Sequence, residues 1–398
     1  MQTETSTPEV FSNEYRLLLI CARRSLNRQD VAEAQSLIAA GVDWSLLCRH
    51  AEKHGLVPLL FHHLQGNFPE AIPHLEQQKQ RFLKDTVHKL LWTHLLVQVL
   101  QALEAAGIRA LAYKGPALAA ALYGDVALRE MSDLDILIDR ASLAAAREVL
   151  LNLGFRAHVQ HSRKQEEARL RSDCECEFSS ADGKMMVDLH WQITERHLAP
   201  RFNFEDLWDR RRMVSLGNQS VPTFSAEDTT LLLAVHGGKH LWRQLSWLAD
   251  FAESQRQYLN WDILPQRARN AHAERMLWLG LVLANQIFSV PLPSELKAQV
   301  DHDAIVRRIA ANMTTTLFED RTGLGSDRAR WLTMVRLADT RWEGLRCGAR
   351  FAVTSGPREW QAIRLPDSLF GIYALLRLST VLRAAPSLLF PRRSPGRG

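Results

Sequence analysis

Ser132-Asp133-Leu134-Asp135-Ile136-Leu137-Ile138-Asp139 alternates polar and apolar residues with a period of two, which predicts a β-strand. Successive side chains on a strand point to opposite faces. Leu134, Ile136 and Ile138 therefore form a fully apolar face for a core. Asp133 and Asp135 share the other face with Leu137, so that face is wet where it starts and covered further along. The pattern suits a site at the end of a strand. Two carboxylates that close repel unless a cation sits between them or one is protonated. Magnesium suits them, because it takes oxygen ligands and commonly shares them with substrate phosphates. The plain alternative is an edge strand with solvated acids, since a lone Asp-x-Asp is a commonplace pair.

Working outward, Ile108 to Tyr113 is a short apolar run between Gly107 and Lys114-Gly115-Pro116, and it predicts a second strand. Pro116 to Tyr123 predicts a compact helix with proline in its first turn, where a missing N–H costs little. A glycine at such a turn lets the backbone approach a phosphate, and the helix N-terminus offers free N–H groups and positive potential. Lys114 can add a point charge. Arg129 lies just before the acidic strand, either within reach of a phosphate or paired with Glu130 or Asp125. With Ser132 heading the strand, Lys114, Gly115 and Arg129 make up the candidate nucleotide-binding set. Later, Met186-Val187-Asp188-Leu189-His190-Trp191 alternates again and places Asp188 and His190 on one face. Asp188 can supply the third carboxylate that two-metal phosphoryl chemistry often uses, or serve as a buried structural acid. His190 can orient Asp188 or simply pack.

Around these motifs the pattern changes twice. Residues 1–12 read as a disordered leader and 13–106 as a helical region, with Leu91, Leu95, Val99 and Leu103 at four-residue spacing. Residues 107–193 read as an α/β core. There Ala141 to Leu153 is a helix closed by Gly154, and Phe155 to Gln160, Cys174 to Ser179 and Met185 to Ile193 are strands. Ala181-Asp182-Gly183-Lys184 turns between the last two. Residues 194–390 read as a second helical region, with helices at 261–290, 303–317 and 327–345, and 391–398 as a basic tail. Ser225 with Asp228 marks one helix start. The fold class is α+β: a small mixed β-sheet core flanked by N-terminal and C-terminal helical regions.

The 398 residues are 46% apolar and 23% charged, without low-complexity tracts, as in a soluble globular chain. Basic residues exceed acids by five, which suits a polyanionic ligand. Without a long basic run interleaved with aromatics, nucleic acid is not an expected partner. The five cysteines are odd in number and scattered, which favours a reducing compartment. Cys174 and Cys176 alternate with acids and are expected to face the interior, and no further Cys or His pair completes a zinc set. The opening lacks a signal-peptide pattern, and no stretch reaches the ~18 apolar residues of a membrane span; a cytoplasmic location is expected. Leu369 to Phe390 is apolar, interrupted by Arg377 and Arg383, and leads into Pro391-Arg392-Arg393. It reads as a packed last helix or as a basic amphipathic segment for peripheral contact with a membrane or protein.

The order KGPALAAALYGDVALREMSDLDILI, followed by VDLHW, resembles the uncharacterised nucleotidyltransferase family of the DNA polymerase β-like superfamily. AEKHGLVPLLFHHL at 51–64 and HGGKHLWRQLSWLADFAE at 236–253 fit the same family, so the resemblance covers roughly residues 45 to 265. It implies a nucleotidyltransferase core at 107–193, with Asp133 and Asp135 as paired metal ligands and Asp188 as the third carboxylate. It implies magnesium, or manganese in its place, and a nucleoside triphosphate such as ATP. The implied reaction transfers the nucleoside monophosphate to an unidentified hydroxyl-type acceptor: a small molecule, glycan intermediate, peptide or protein. Lys114-Gly115-Pro116 stands where the superfamily usually carries Gly-Ser, which leaves open what replaces the serine hydroxyl.

His236 and His240 share a helix face. No glutamate follows His236, so a zinc protease motif is not expected. Lys239 or His240 can touch the triphosphate or acceptor from a helix facing the α/β block, and His190, Lys239 and His240 are the accessory candidates. Core hydrogen bonding is the plain alternative for the histidines, as it is for His50 and His54. Trp242, Trp247 and Trp261 lie among leucines and are expected in the core. Two other functions would use the same acids: a catalytically weak nucleotide-binding regulatory or scaffold protein, and a γ-phosphate phosphotransferase.

Overall fold

The structure, a computed structural model, describes residues 11–157, 162–318 and 327–384. The leader up to residue 10, strand positions 158–160 and the segment beyond 384, with its basic tail, lie outside the described residues.

Four short helices open the chain: Asn13–Cys21, Arg28–Ala39, Trp44–His54 and Val57–Asn67. Ser12, Asn27 and Asp43 cap the first three by accepting from first-turn N–H groups. The 30-residue helix Glu76–Ala105 follows. Its sheet-facing stripe is Trp92, Leu96, Val99 and Leu103, while Leu91 is half exposed. The expected four-residue stripe thus rotates by one position along the helix, because 3.6 residues per turn makes a strict i+4 series drift.

The sheet contains β1 (Ala110–Ala112), β2 (Leu134–Ile138), β3 (Arg156–Ala157), β4 (Glu175–Ser179) and β5 (Met186–His190). Their order is β1-β2-β5-β4-β3, with β2 and β5 parallel and the other pairs antiparallel. The turn at 181–184 returns β5 alongside β4, which leaves the far edge of β5 free to pair with β2. Leu134, Ile136, Ile138, Val187, Leu189 and Phe178 form the apolar face, which packs with the long helix. Each such side chain, fully buried, contributes about 1.5–3 kcal/mol. A helix that the sequence reading did not contain, Arg163–Ser172, separates β3 from β4; Ser162 and Gln165 form its capping box.

The region after residue 193 is not wholly helical. β6 (Arg212–Leu216) and β7 (Gln219–Thr223) form a hairpin around Gly217, which has φ 59°. The helices Ala226–Lys239, Leu245–Gln255, Leu264–Asn270 and Glu274–Phe288 follow, so the expected helix at 261–290 is divided. Ala304–Leu317 matches its expected span. The stretch 327–345 breaks into Asp327–Leu337 and Arg341–Val353, because Thr340 and Glu343 form a capping box that starts a new helix. The two helical regions share one core, in which Leu17 and Leu60 join Leu245, Phe251 and Leu279. His54 Nδ1 accepts from the backbone N–H of Leu245 across that junction (3.4 Å), and Tyr15 stacks on His50. Trp242 is buried. Among the described residues no helix is long and apolar enough to cross a membrane.

Candidate active site

Strand register builds the site. β2 and β5 place Asp135 opposite Asp188, while β5 and β4 place His190 opposite Glu175 and Asp188 opposite Glu177. Since alternate residues share a face, Asp135, Asp188, His190 and Glu175 converge on the side of the sheet away from its apolar packing. Asp133 sits immediately before β2 and lines the same cavity, about 340 Å³ in volume.

Asp135 is 2% exposed. Its Oδ1 accepts from Lys114 Nζ at 2.8 Å and lies 3.1 Å from His190 Nε2, but its Oδ2 has no hydrogen-bond partner. His190 Nδ1 lies 3.1 Å from Glu175 Oε2, and the Tyr113 hydroxyl lies 3.3 Å from His190 Nε2. The carboxyl groups respond differently to this setting. Burial pushes Asp135 upward, yet Lys114 and His190 outweigh it and hold the group well below the usual carboxylate range. Asp133 is raised by burial and by Asp135. Asp188 is pushed up to about 7, by burial first and then by the charges of Asp135 and Asp133.

A buried, unpartnered carboxylate oxygen is costly, by more than the roughly 1–3 kcal/mol of a neutral group. A cation would satisfy it. Ligand atoms of Asp135, Asp188 and His190 lie within 4.8 Å of one another, and the two carboxylates among them are the oxygen donors that a hard divalent ion takes. Cys174, Glu175 and His190 form a second group within the same limit, although burial raises the Cys174 thiol well above its ordinary value. The strand pairing thus brings a histidine to Cys174 that the linear sequence does not.

The helix Ala226–Lys239 forms the opposite wall, capped by Ser225, whose hydroxyl accepts from Asp228 N–H. Leu232, Val235, His236 and Lys239 from this helix line the cavity at helical spacing. Lys239 pairs with Glu195 at 3.1 Å. Trp247 also lines the cavity, its ring centroid 5.1 Å from that of His236 and 5.2 Å from that of His240. Gly237 makes room for this wall: a Cβ there would come within 2.3 Å of the Trp242 ring. Arg330, from Asp327–Leu337, completes the lining.

Lys114, Asp133, Asp135, Asp188, His190, Lys239 and His240 are therefore gathered around one cavity. Arg129, Gly115 and Ser132 are not among its lining residues. Arg129 is partly buried and forms an ion pair with the buried Asp250 at 2.8 Å, and Tyr123 also donates to Asp250. Ser132 is exposed. Gly115, at φ 55°, lies against the backbone of Asp133, where a Cβ would come within 3.3 Å of the carbonyl. It lets the turn after β1 seat on the start of β2, at a left-handed backbone that favours glycine.

Four polar lining residues, Tyr113, Glu175, Glu195 and Arg330, are not among the candidates the sequence offers. Glu175 and Tyr113 needed strand pairing, although the alternation of acids around Cys176 signals a polar face. Glu195 and Arg330 reach the cavity only through tertiary packing, and nothing local marks them. No curated protein matches the chain. The model of the uncharacterised nucleotidyltransferase family matches residues 40–289, more than half of the chain, and the chain belongs to that family.

Proposed function

We propose that the cavity binds a nucleoside triphosphate with a divalent ion, magnesium foremost, and transfers the nucleoside monophosphate to a hydroxyl-type acceptor. The observation that carries this reading is the buried, unpartnered Oδ2 of Asp135 beside Asp188 and His190. Asp135 and Asp188 would hold the ion, with Asp133 at the same wall. When bound, the ion supplies charge neutralisation on the phosphates and orients them for in-line displacement. His190 orients Asp135 from the side of Glu175. Lys114 and Lys239 bring positive charge from two sides, and the open cavity lets the hydroxyl proton leave to solvent. The acceptor oxygen bonds to the α-phosphorus as the bond to the departing pyrophosphate breaks.

Glu175 also lines a neighbouring cavity of about 600 Å³, whose far side carries Trp360, Gln361 and Arg364. We assign the acceptor to this space. The free, buried cysteines support a cytoplasmic setting. The test is incubation with α-labelled or γ-labelled ATP, magnesium and a cell extract, comparing wild type with Asp133→Asn/Asp135→Asn. Transfer of the α-label by wild type alone is expected. Equal labelling by both proteins would remove the mechanism, and transfer of the γ-label would make the chain a phosphotransferase.

A further inference from the structure

The helix Asp327–Leu337 lies outside the matched residues 40–289, yet Arg330 on it lines the catalytic cavity. Its Nε donates to the backbone carbonyl of Lys239 at 3.1 Å, which fixes the guanidinium beside the end of Ala226–Lys239. The cations of the cavity are not equivalent. Lys114 is engaged by Asp135 and Lys239 by Glu195. Burial holds His236 neutral, as it does His240, aided by the nearby charges of Lys114 and Lys239 respectively. Among the described residues, Arg330 has no carboxylate partner, and its hydrogen bond through Nε leaves the rest of the fork uncommitted.

We infer that Arg330 binds the terminal phosphates of the triphosphate, and the pyrophosphate that leaves, from the wall opposite the catalytic acids. This rests on the proposed nucleotidyl transfer. The sheet side of the cavity is strongly acidic, so the β- and γ-phosphates need cations from the helical side. A planar guanidinium offers paired N–H donors that match two phosphate oxygens at once, which an ammonium cannot do. The anchored Nε presets that fork and lowers the ordering loss on binding. The C-terminal helices thus complete the nucleotide site.

The test measures binding of ATP, AMP and pyrophosphate, each with magnesium, to the full chain by calorimetry. Arg330→Gln should weaken ATP and pyrophosphate about tenfold or more, the loss of a charge-assisted hydrogen bond, while AMP affinity changes much less. Arg330→Lys, which keeps the charge and most of the stem, should show the same selectivity at smaller size; it decides the matter if the glutamine variant does not fold. An ATP-to-AMP affinity ratio unchanged in the variants would overturn the role of Arg330 and leave nucleotidyl transfer standing. A wild-type chain that binds none of ATP, GTP, CTP and UTP with magnesium would overturn the transfer reading itself.

Discussion

Asp188→Asn should make the metal-free protein more stable at alkaline pH, although it removes a proposed metal ligand. Burial, then Asp135 and Asp133, raise the Asp188 carboxyl from 3.8 to about 7 on folding. The unfolded chain releases this proton near 3.8, and the folded chain retains it up to about 7. Stability therefore falls as pH rises through that window, and the full penalty is present above it. At 1.36 kcal/mol per pKa unit, the rise corresponds to about 4 kcal/mol; halved for water in the cavity, it leaves about 2 kcal/mol. Asparagine keeps the volume and an acceptor oxygen but cannot ionise. Urea denaturation in EDTA should show the variant ahead of wild type by about 2 kcal/mol at pH 8 and by under about 1 kcal/mol at pH 5. Saturating magnesium should reverse the order, since an ion at 100 times its Kd stabilises wild type by about 2.7 kcal/mol. A variant no more stable than wild type at pH 8 in EDTA would refute the reasoning about like-charge crowding.

Three further outcomes follow from the geometry. Arg129→Met should destabilise the fold by about 3–5 kcal/mol in urea, because it leaves buried Asp250 without its counter-ion; a change confined to nucleotide affinity would return Arg129 to a ligand role. Gly237→Ala should overpack the Trp242 ring, cost about 1–3 kcal/mol and alter the near-ultraviolet dichroism of the tryptophans. An unaltered spectrum and melting temperature would contradict that packing. Glu195→Gln should cost about 3–5 kcal/mol at neutral pH by stranding the Lys239 charge. Burial raises the Glu195 carboxyl, but Lys239 outweighs it and lowers it from 4.5 to about 2. The pair's stabilisation is therefore complete above 4.5 and lost as pH falls toward 2, so the difference from wild type should shrink on acidification. A difference independent of pH would show that it is not the charge that matters.

Local patterning determined much of this protein. The period-two runs at 132–139 and 186–191 placed two strands and gave each an acidic face, since side-chain alternation is a property of the strand alone. Capping residues and glycines marked many helix starts and stops, and the ordered motifs carried the family resemblance. The helix Arg163–Ser172 was harder to read, because a mostly polar stretch with few apolar positions carries no clear period. The β6–β7 hairpin was legible in Val214, Leu216 and Gly217 but was overshadowed by the helical patterns around it. Only the tertiary structure decided which strands pair, and with them that Asp135 faces Asp188 while His190 bridges toward Glu175. It also took Arg129 into the Asp250 pair and brought Arg330 to the cavity from residues far along the chain. The physical reason is the same in each case. A strand or helix encodes the face on which a side chain lies, whereas its partner across the fold is set by the packing of the whole chain.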